Sequence, residues 1–167
     1  ATIKNNECKI YGKGFNGYKF KKNLTINAEN SGTLGRLILG LLVNSPYPIK
    51  VIGDKSLSKR DFKRISDPLS KFGTKFKLRK NKFLPLKIFG SSKLVPIKYY
   101  ENKGSAQCKS SVIFGAMRVD GTTTIKAKKS RNHTELLCKY LNLPLAIKHK
   151  KNYDEIKIKK VSKIKPL

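Results

Sequence analysis

The sequence predicts an α/β (α+β) fold built from two repeated β-α-β-α-β-β units. Short segments in which apolar and polar residues alternate indicate strands, and longer segments with apolar residues at i, i+3 and i+4 indicate helices. The same order of elements occurs twice, at about residues 10–90 and again at about residues 91–160. Both copies have polar residues at their helix starts. We therefore expect a single domain made of two repeat units, with a tail at 161–167.

Two helices are expected in repeat unit one. The first, at residues 33–43, should end at the Asn44 to Pro46 segment, because proline cannot continue a helix. The second follows a polar loop at 53–58, and Ser58 and Asp61 have the spacing of a capping box for it. The residues expected to be buried are Leu34, Leu37, Ile38, Leu41 and Leu42 in the first helix, and Phe62, Ile65, Leu69 and Phe72 in the second.

The strands of this part of the chain are short and are separated by turn residues. A hairpin turning at Asn5 and Asn6 comes first, and Gly73 is placed to end the second helix before the last two strands. The expected strands are 1–4, 8–11, 24–26, 49–52, 74–80 and 83–89.

Repeat unit two repeats this order. Its first helix opens at Gly104–Gln107 and carries the apolar residues Cys108, Val112, Ile113, Ala116 and Met117. Its second helix starts within Ser130–Glu135, with Asn132 and Glu135 at capping-box spacing. The inward residues expected for that helix are Leu136, Leu137, Tyr140 and Leu141, and the expected strands are 96–100, 122–127, 145–149 and 155–159.

Composition limits the class of protein. The 167 residues carry a net charge of +28, which suggests a nucleic-acid partner, although only six of the 38 basic residues are arginine and the lysines are spread over nearly every segment. A lysine-coated surface produced by an AT-rich coding sequence is the alternative. Three cysteines without C-x-x-C spacing argue against disulfides and zinc, and we expect them to be reduced and buried. The longest apolar run is too short to span a membrane, so we expect a cytoplasmic protein.

The start of the first helix is a candidate anion site. Free backbone N–H groups there meet the positive end of the helix dipole, Gly32 has no side chain to block a ligand, and Arg36 adds a fixed charge. An ordinary capped helix is the alternative interpretation. Repeat unit two favours the anion site over the ordinary capped helix, because Ser105 corresponds to Ser31 and Arg131 to Arg60. Four helix starts and two arginines on one face would suit phosphate and carboxylate groups.

Four motifs resemble those of the enolpyruvyl transferase family. Residues 30–36 match N-[SA]-G-T-x-x-R, and residues 53–60 match G-D-x-S-L-x-K-R. Residues 105–110 match S-A-Q-x-K-S, and residues 130–135 resemble S-R-D-H-T-E. The four occur in the family's order, and the resemblance runs from residue 1 to about residue 159. It implies an enolpyruvate-transferase-like domain.

The resemblance also implies substrates and roles. The activity would be transfer of the carboxyvinyl group of phosphoenolpyruvate to the 5-hydroxyl of shikimate-3-phosphate, in the shikimate pathway of aromatic amino acid biosynthesis, without a cofactor or metal. Gly32 and Arg60 would contact phosphoenolpyruvate, and Gln107 would lie between the two substrates. The residues implied to hold shikimate-3-phosphate are Ser105, Ala106, Ser130 and Arg131, and those implied to shape the first turn are Asn30, Thr33 and Arg36.

Three positions depart from the family pattern. Glu29 stands where glycine is usual, and Asn132 replaces aspartate. Asp61 replaces the proline after Arg60, where its carboxylate could either pair with that arginine and weaken anion binding or cap its own helix.

Parts of the family pattern have no counterpart in these 167 residues. The parts without a counterpart are the opening K-S-x-S-x-R motif, the first repeat unit, and the second domain, which carries the catalytic carboxylates in the family. The ten acidic residues include no pair placed for acid/base work, so we expect substrate binding without turnover and assign no catalytic residue. The missing first unit and second domain would be the partners of this partial domain.

Individual residues support few other functions. His133 is interpreted as a surface or capping residue in preference to a general base, and His149 as solvent-exposed. Cys108 and Cys138 lie on apolar helical faces, which favours packing over nucleophilic catalysis. Two alternatives to a transferase domain stay open from the residues alone: a basic α/β module that binds RNA, and a structural remnant with no ligand.

Overall fold

The computed structural model describes residues 2–164, which form ten strands and four helices. The strands are β1 (Thr2–Lys4), β2 (Glu7–Lys9), β3 (Thr25–Asn27), β4 (Ile49–Ile52), β5 (Lys75–Arg79), β6 (Phe83–Phe89), β7 (Lys98–Glu101), β8 (Thr122–Lys128), β9 (Leu145–His149) and β10 (Tyr153–Lys159). The helices are α1 (Gly32–Leu41), α2 (Lys63–Ser70), α3 (Ala106–Ala116) and α4 (His133–Tyr140), with a 3₁₀ turn at Leu57–Lys59.

Eight of the ten strands form two four-stranded sheets of identical topology, and β1 and β2 form a separate hairpin. The strand orders are β3-β4-β6-β5 and β7-β8-β10-β9, with the first pair parallel and the others antiparallel in each sheet. The β-α-β-α-β-β order predicted for both units is thus confirmed. The exact residue bounds of the two units stay a prediction.

The N-terminal hairpin turns where the sequence places it. Asn5 and Asn6 both have positive φ, at 50° and 61°, as the two central residues of a type I′ turn require. Strand β1 pairs antiparallel with β2 across this turn, with Lys4 opposite Glu7. Residue 1 of the expected first strand lies outside the described residues. So do residues 165–167 of the expected tail, whereas Val161 is buried and donates its N–H to Met117 O at 2.9 Å.

The buried face of α1 only partly follows the face that its sequence spacing predicts, since Leu42 is buried and Ile38 packs against the core but the other three predicted residues are not buried. Leu34 is 43% exposed, and the buried positions are Gly32, Gly35, Leu39 and Gly40. The glycines allow α1 to pack closely on α3: a Cβ atom added to Gly40 would lie only 2.1 Å from the backbone oxygen of Ser111. The prediction failed at Leu34 because close packing of the two helix backbones, which glycines permit, decides this interface.

The apolar face predicted for α2 is confirmed, but the predicted capping box is wrong. Phe62, Ile65, Leu69 and Phe72 are all fully buried or nearly so. The hydroxyl of Ser58 donates to Gly53 O instead of capping the helix. Close to the helix start, the carboxylate of Asp61 accepts the Lys63 N–H at 2.8 Å.

The inward face predicted for α4 is also wrong. Leu136, Leu137 and Tyr140 are 55%, 49% and 71% exposed, and the buried residues of this helix are Glu135 and Cys138. Asn132 precedes the helix without a capping hydrogen bond from its side chain. In α3, by contrast, all five predicted apolar residues are buried, together with the polar Lys109, Ser110 and Ser111.

The three cysteines differ in their burial. Cys108 and Cys138 are buried, as expected, while Cys8 is exposed, contrary to expectation, and all three are free thiols. Burial raises the pKa of the Cys138 thiol to about 11. Within residues 2–164, no helix is both long enough and apolar enough to cross a bilayer.

Candidate substrate-binding site

The start of α1 is held by two loops that contain the first two motifs. Ser31 is the N-cap residue of α1, and its hydroxyl oxygen accepts the Leu34 N–H at 3.1 Å. The side-chain amide of Asn30 donates to Asp54 Oδ2 at 2.7 Å, and Asp54 N donates to Glu29 O at 2.9 Å. The two motifs are therefore parts of one hydrogen-bonded structure.

Glu29 occupies a backbone conformation that explains why glycine would suit its position. Its φ is +47°, in the left-handed region that costs residues with a Cβ atom about 1–2 kcal/mol. Asn27 and Glu29 bond to each other in compensation, since Asn27 Oδ1 accepts the Glu29 N–H at 3.0 Å and its amide contacts the Glu29 carboxylate.

Two guanidinium groups lie beside Gly32. A Cβ atom added to this residue would be 3.2 Å from Arg60 Nη1 and 3.4 Å from Arg36 Nη1, so the glycine leaves the space between the helix start and both arginines open. Burial lowers the pKa of Arg36, and the charges of Arg60 and Arg64 lower it further, while Cys108 and Asp61 act in the opposite direction. An anion at this point would stabilise the clustered positive charges.

The start of α3 lies directly against the start of α1. Arg36 Nη1 donates to Gln107 Oε1 at 2.5 Å, and Gln107 Nε2 donates to Thr33 Oγ1 at 3.0 Å. The Ser111 hydroxyl also donates to Arg36 O at 3.0 Å. Gln107 consequently bridges the first and third motifs, which are distant in sequence.

Ser105 has the same capping role in α3 that Ser31 has in α1. Its hydroxyl oxygen accepts the Cys108 N–H at 3.3 Å, and its own N–H donates to the buried Glu101 carboxylate at 2.9 Å. The equivalence of the two serines, inferred from their spacing, thus has a structural counterpart.

A cleft of about 230 Å³ connects the starts of α1, α3 and α4. Predicted site residues from three motifs line it, and His133 and Leu37 complete part of its wall. The predicted residues in this wall are Thr33, Ala106, Gln107 and Arg131. Arg131 and His133 are both exposed, so the cleft has a cationic side chain that is accessible to solvent.

The other predicted residues lie beside this cleft. Gly32, Arg36 and Arg60 form a neighbouring group that meets the cleft at Gln107 and Thr33. Asn30 braces the turn through Asp54. Ser130 is half-buried, and among the described residues its hydroxyl oxygen finds no hydrogen-bond partner.

Asp61 does not pair with Arg60. Its carboxylate accepts the Lys63 N–H and lies 3.5 Å from Lys82 Nζ, and none of the ion pairs within residues 2–164 involves Arg60. Of the two roles considered for Asp61, pairing with Arg60 is not seen within residues 2–164; the carboxylate instead bonds to the first N–H of α2, whose N-cap residue is Phe62.

A larger cleft, of about 470 Å³, lies at the C-terminal ends of α1 and α3. Arg118 fills a structural role there: it donates to Phe15 O at 2.6 Å and to Asn16 Oδ1 at 2.8 Å, and its guanidinium stacks 3.8 Å above the Phe15 ring. These contacts fasten the segment before β3 to α3, away from the helix starts.

Four motif residues have contacts that the sequence analysis missed. Lys109 Nζ lies 2.5 Å from Glu135 Oε1, and Ser110 Oγ lies 2.7 Å from Thr134 Oγ1. The lysine and serine belong to the third motif, and the threonine and glutamate to the fourth, so the motif letters themselves were the available signal. Glu135 was instead assigned to a capping box.

Two repeated β-α-β-α-β-β units, with serine-capped starts of α1 and α3 beside the arginines, agree with the class that the four motifs indicate, the enolpyruvyl transferases. A family model described as EPSP synthase (3-phosphoshikimate 1-carboxyvinyltransferase) matches residues 2–166, and the chain belongs to this family.

Curated relatives and solved structures agree with this assignment. The chain is 42% identical over 140 residues to 3-phosphoshikimate 1-carboxyvinyltransferase of Caldicellulosiruptor bescii, covering 83% of this chain and 32% of the relative. It is 44% identical over 143 residues to the Streptococcus agalactiae protein of that name, covering 84% and 33%. EPSP synthase of Acinetobacter baumannii aligns with a TM-score of 0.86 at 30% identity, covering 98% of this chain and 36% of that structure.

The chain spans about a third of the length of the curated relatives that it matches. The alternative of an RNA-binding module gains no support from these comparisons.

Proposed function

We propose that this chain is a substrate-binding part of an enolpyruvyl transferase, which moves the carboxyvinyl group of phosphoenolpyruvate to the 5-hydroxyl of shikimate-3-phosphate. In this reaction a bond forms between the hydroxyl oxygen and C2 of phosphoenolpyruvate, and inorganic phosphate leaves. The observation that carries the proposal is the bridge from Arg36 through Gln107 to Thr33, because it brings the starts of two helices from different repeat units to one face.

The phosphoenolpyruvate side of this face is the group around Gly32. Arg36 and Arg60 both approach the glycine, and the first turn of α1 adds unpaired backbone N–H groups at the positive end of its dipole. Phosphoenolpyruvate carries a phosphate and a carboxylate, and guanidinium groups can bind both with two parallel hydrogen bonds.

The shikimate-3-phosphate side is the cleft between α1, α3 and α4. Arg131 supplies the cation for the 3-phosphate, and the start of α3 supplies Ser105, Ala106 and Gln107. Ser130, whose hydroxyl is unbonded within the described part of the chain, is a further donor next to Arg131. Gln107 lies between the two groups and would contact both substrates.

Proton transfer is assigned to other parts of the transferase. The wall of the cleft contains no carboxyl group among the described residues, so it offers no carboxylic acid to protonate the methylene carbon and no carboxylate base for the hydroxyl. We propose that a second domain supplies these groups when it closes over the face described here. The first repeat unit of the family domain would complete the shikimate-3-phosphate site, and the reaction requires no cofactor.

Calorimetric titration of the purified chain tests the proposal. Shikimate-3-phosphate should bind more tightly than inorganic phosphate, because the hydroxyl groups of the ring add hydrogen bonds to those of the phosphate. Equal affinities would show that only the general positive charge of the chain attracts anions, and would contradict the proposal.

A further inference from the structure

Helix α4, which begins two residues after Arg131, has few apolar contacts to hold it in place. Its three largest apolar residues, Leu136, Leu137 and Tyr140, are each about half exposed or more. No side chain caps its N-terminus. The orientation of this helix must therefore depend on its buried residues, Glu135 and Cys138.

Two polar contacts connect α4 to α3. The ammonium group of Lys109 lies 2.5 Å from Glu135 Oε1, with the side chains 0% and 2% exposed. The next residue of α3, Ser110, and the preceding residue of α4, Thr134, have their hydroxyl oxygens 2.7 Å apart. Consecutive residues of α3 thus contact consecutive residues of α4, which fixes both the separation and the register of the two helix starts.

The buried ion pair is poorly suited to provide stability alone. Taking two charges out of water is costly, and within the described residues neither the Lys109 ammonium, in spite of its short distance to Oε1, nor Glu135 Oε2 makes a hydrogen bond of good geometry. Apolar residues of similar volume often stabilise a protein as well as a buried pair does, or better. A role in geometry accounts for this pair more directly than a role in stability does.

Repeat unit one offers an internal comparison. Helix α2, which follows Arg60, is held by Phe62, Ile65, Leu69 and Phe72, all buried in the core. The arginine of unit one is therefore placed by apolar packing, and the arginine of unit two by polar contacts with α3. Both arrangements reach α3, which carries Gln107: the first through Leu69 and Phe72, which lie beside Gly115, and the second through the polar pairs Lys109–Glu135 and Ser110–Thr134.

We propose that the Lys109–Glu135 pair positions Arg131 relative to Gln107 and so sets the affinity for shikimate-3-phosphate. This inference rests on the function proposed above. Lys109 and Glu135 are too deeply buried to contact a ligand in the cleft, so they act through the placement of α4 and are positioning residues. The phosphoenolpyruvate group around Gly32 and Arg60 does not depend on them.

The double variant Lys109→Met/Glu135→Leu replaces the charged pair with apolar side chains of similar volume. The expected result is a folded chain of unchanged or higher Tm, about tenfold weaker binding of shikimate-3-phosphate, which corresponds to roughly 1.4 kcal/mol, and unchanged binding of phosphoenolpyruvate. Amide hydrogen exchange should become faster in α4 and stay the same in α2. Lys109→Gln/Glu135→Gln, in which two amides can still bond, is the conservative control and should retain most of the affinity.

Four results would overturn the proposal. An unfolded apolar double variant would show that the pair serves stability. Equal weakening of both substrates would show a general effect, and unchanged shikimate-3-phosphate affinity would show that the pair does not matter for Arg131. The proposed function has its own test: it fails if the unaltered chain binds shikimate-3-phosphate and phosphate equally. Even in that case, unchanged amide hydrogen exchange in α4 of the apolar double variant would refute the positioning role of the pair.

Discussion

The guanidinium of Arg36 on α1 donates a hydrogen bond to the side-chain oxygen of Gln107 on α3, at 2.5 Å. Because the Gln107 amide also donates to Thr33, one glutamine side chain of α3 bonds to two residues of α1. The two repeat units thus share a polar contact at the point where their first motifs, to which we assign substrate binding, meet. This relationship and the motif contacts around it lead to five predictions.

Replacement of Gln107 by alanine should destabilise the chain. The change leaves the half-buried Arg36 guanidinium without its side-chain acceptor, and hydrogen bonds to charged groups contribute about 1.5–3 kcal/mol. The free energy of unfolding, measured by urea denaturation, should fall by an amount in this range. Gln107→Glu is the matched control, because its carboxylate can still accept from Arg36, and an equal loss in both variants would contradict the explanation.

Gly40→Ala should force α1 and α3 apart. The added Cβ atom would lie 2.1 Å from Ser111 O, and backbone atoms cannot move aside as a flexible side chain can. We expect a loss of about 1–3 kcal/mol or more in stability, measured as a lower midpoint of denaturation. Gly12→Ala, where nothing lies within 4 Å of the added atom, should have little effect and serves as the control.

Gly32→Ala should weaken binding of phosphoenolpyruvate more than it changes stability. The new methyl group would occupy the space beside Arg60 Nη1 and Arg36 Nη1 that the proposed ligand needs. Calorimetry should show weaker phosphoenolpyruvate binding with nearly unchanged shikimate-3-phosphate binding. Equal effects on both ligands would mean that the two groups of site residues are not separate.

Arg131→Ala should selectively weaken binding of shikimate-3-phosphate. If the guanidinium bonds to the 3-phosphate, the loss should be on the order of 1.5–3 kcal/mol in binding free energy. Lys148→Ala removes one positive charge from an exposed strand position outside the cleft and is the control for net charge. Similar losses in the two variants would indicate non-specific attraction by the basic surface.

The purified chain should not turn over its proposed substrates. General acid and base groups contribute about 10²–10⁴-fold each, and the described wall of the cleft provides neither as a carboxylate. Phosphate release should therefore stay at background when both substrates are present. Release that survives purification and disappears in Arg60→Ala would show that these 167 residues contain a complete site.

Several features of the protein follow from its sequence alone. Strand and helix positions, the repeated order of elements and the four motifs are all local patterns, because alternation, helical spacing and turn residues reflect the preferences of neighbouring residues. The hairpin at Asn5 and Asn6 shows this clearly, since its two residues tolerate the positive φ that the turn requires.

The tertiary structure decided which face each helix buries and what the motif residues contact. The predicted apolar residues of α1 and α4 have helical spacing, yet α1 is buried mainly through three glycines and Leu39, and α4 through Glu135 and Cys138. Spacing identifies a stripe of residues but carries no information about the surface that packs against it. The contacts of Arg36 with Gln107 and of Lys109 with Glu135 join helices from different parts of the chain, and only the packing of those helices brings their side chains together.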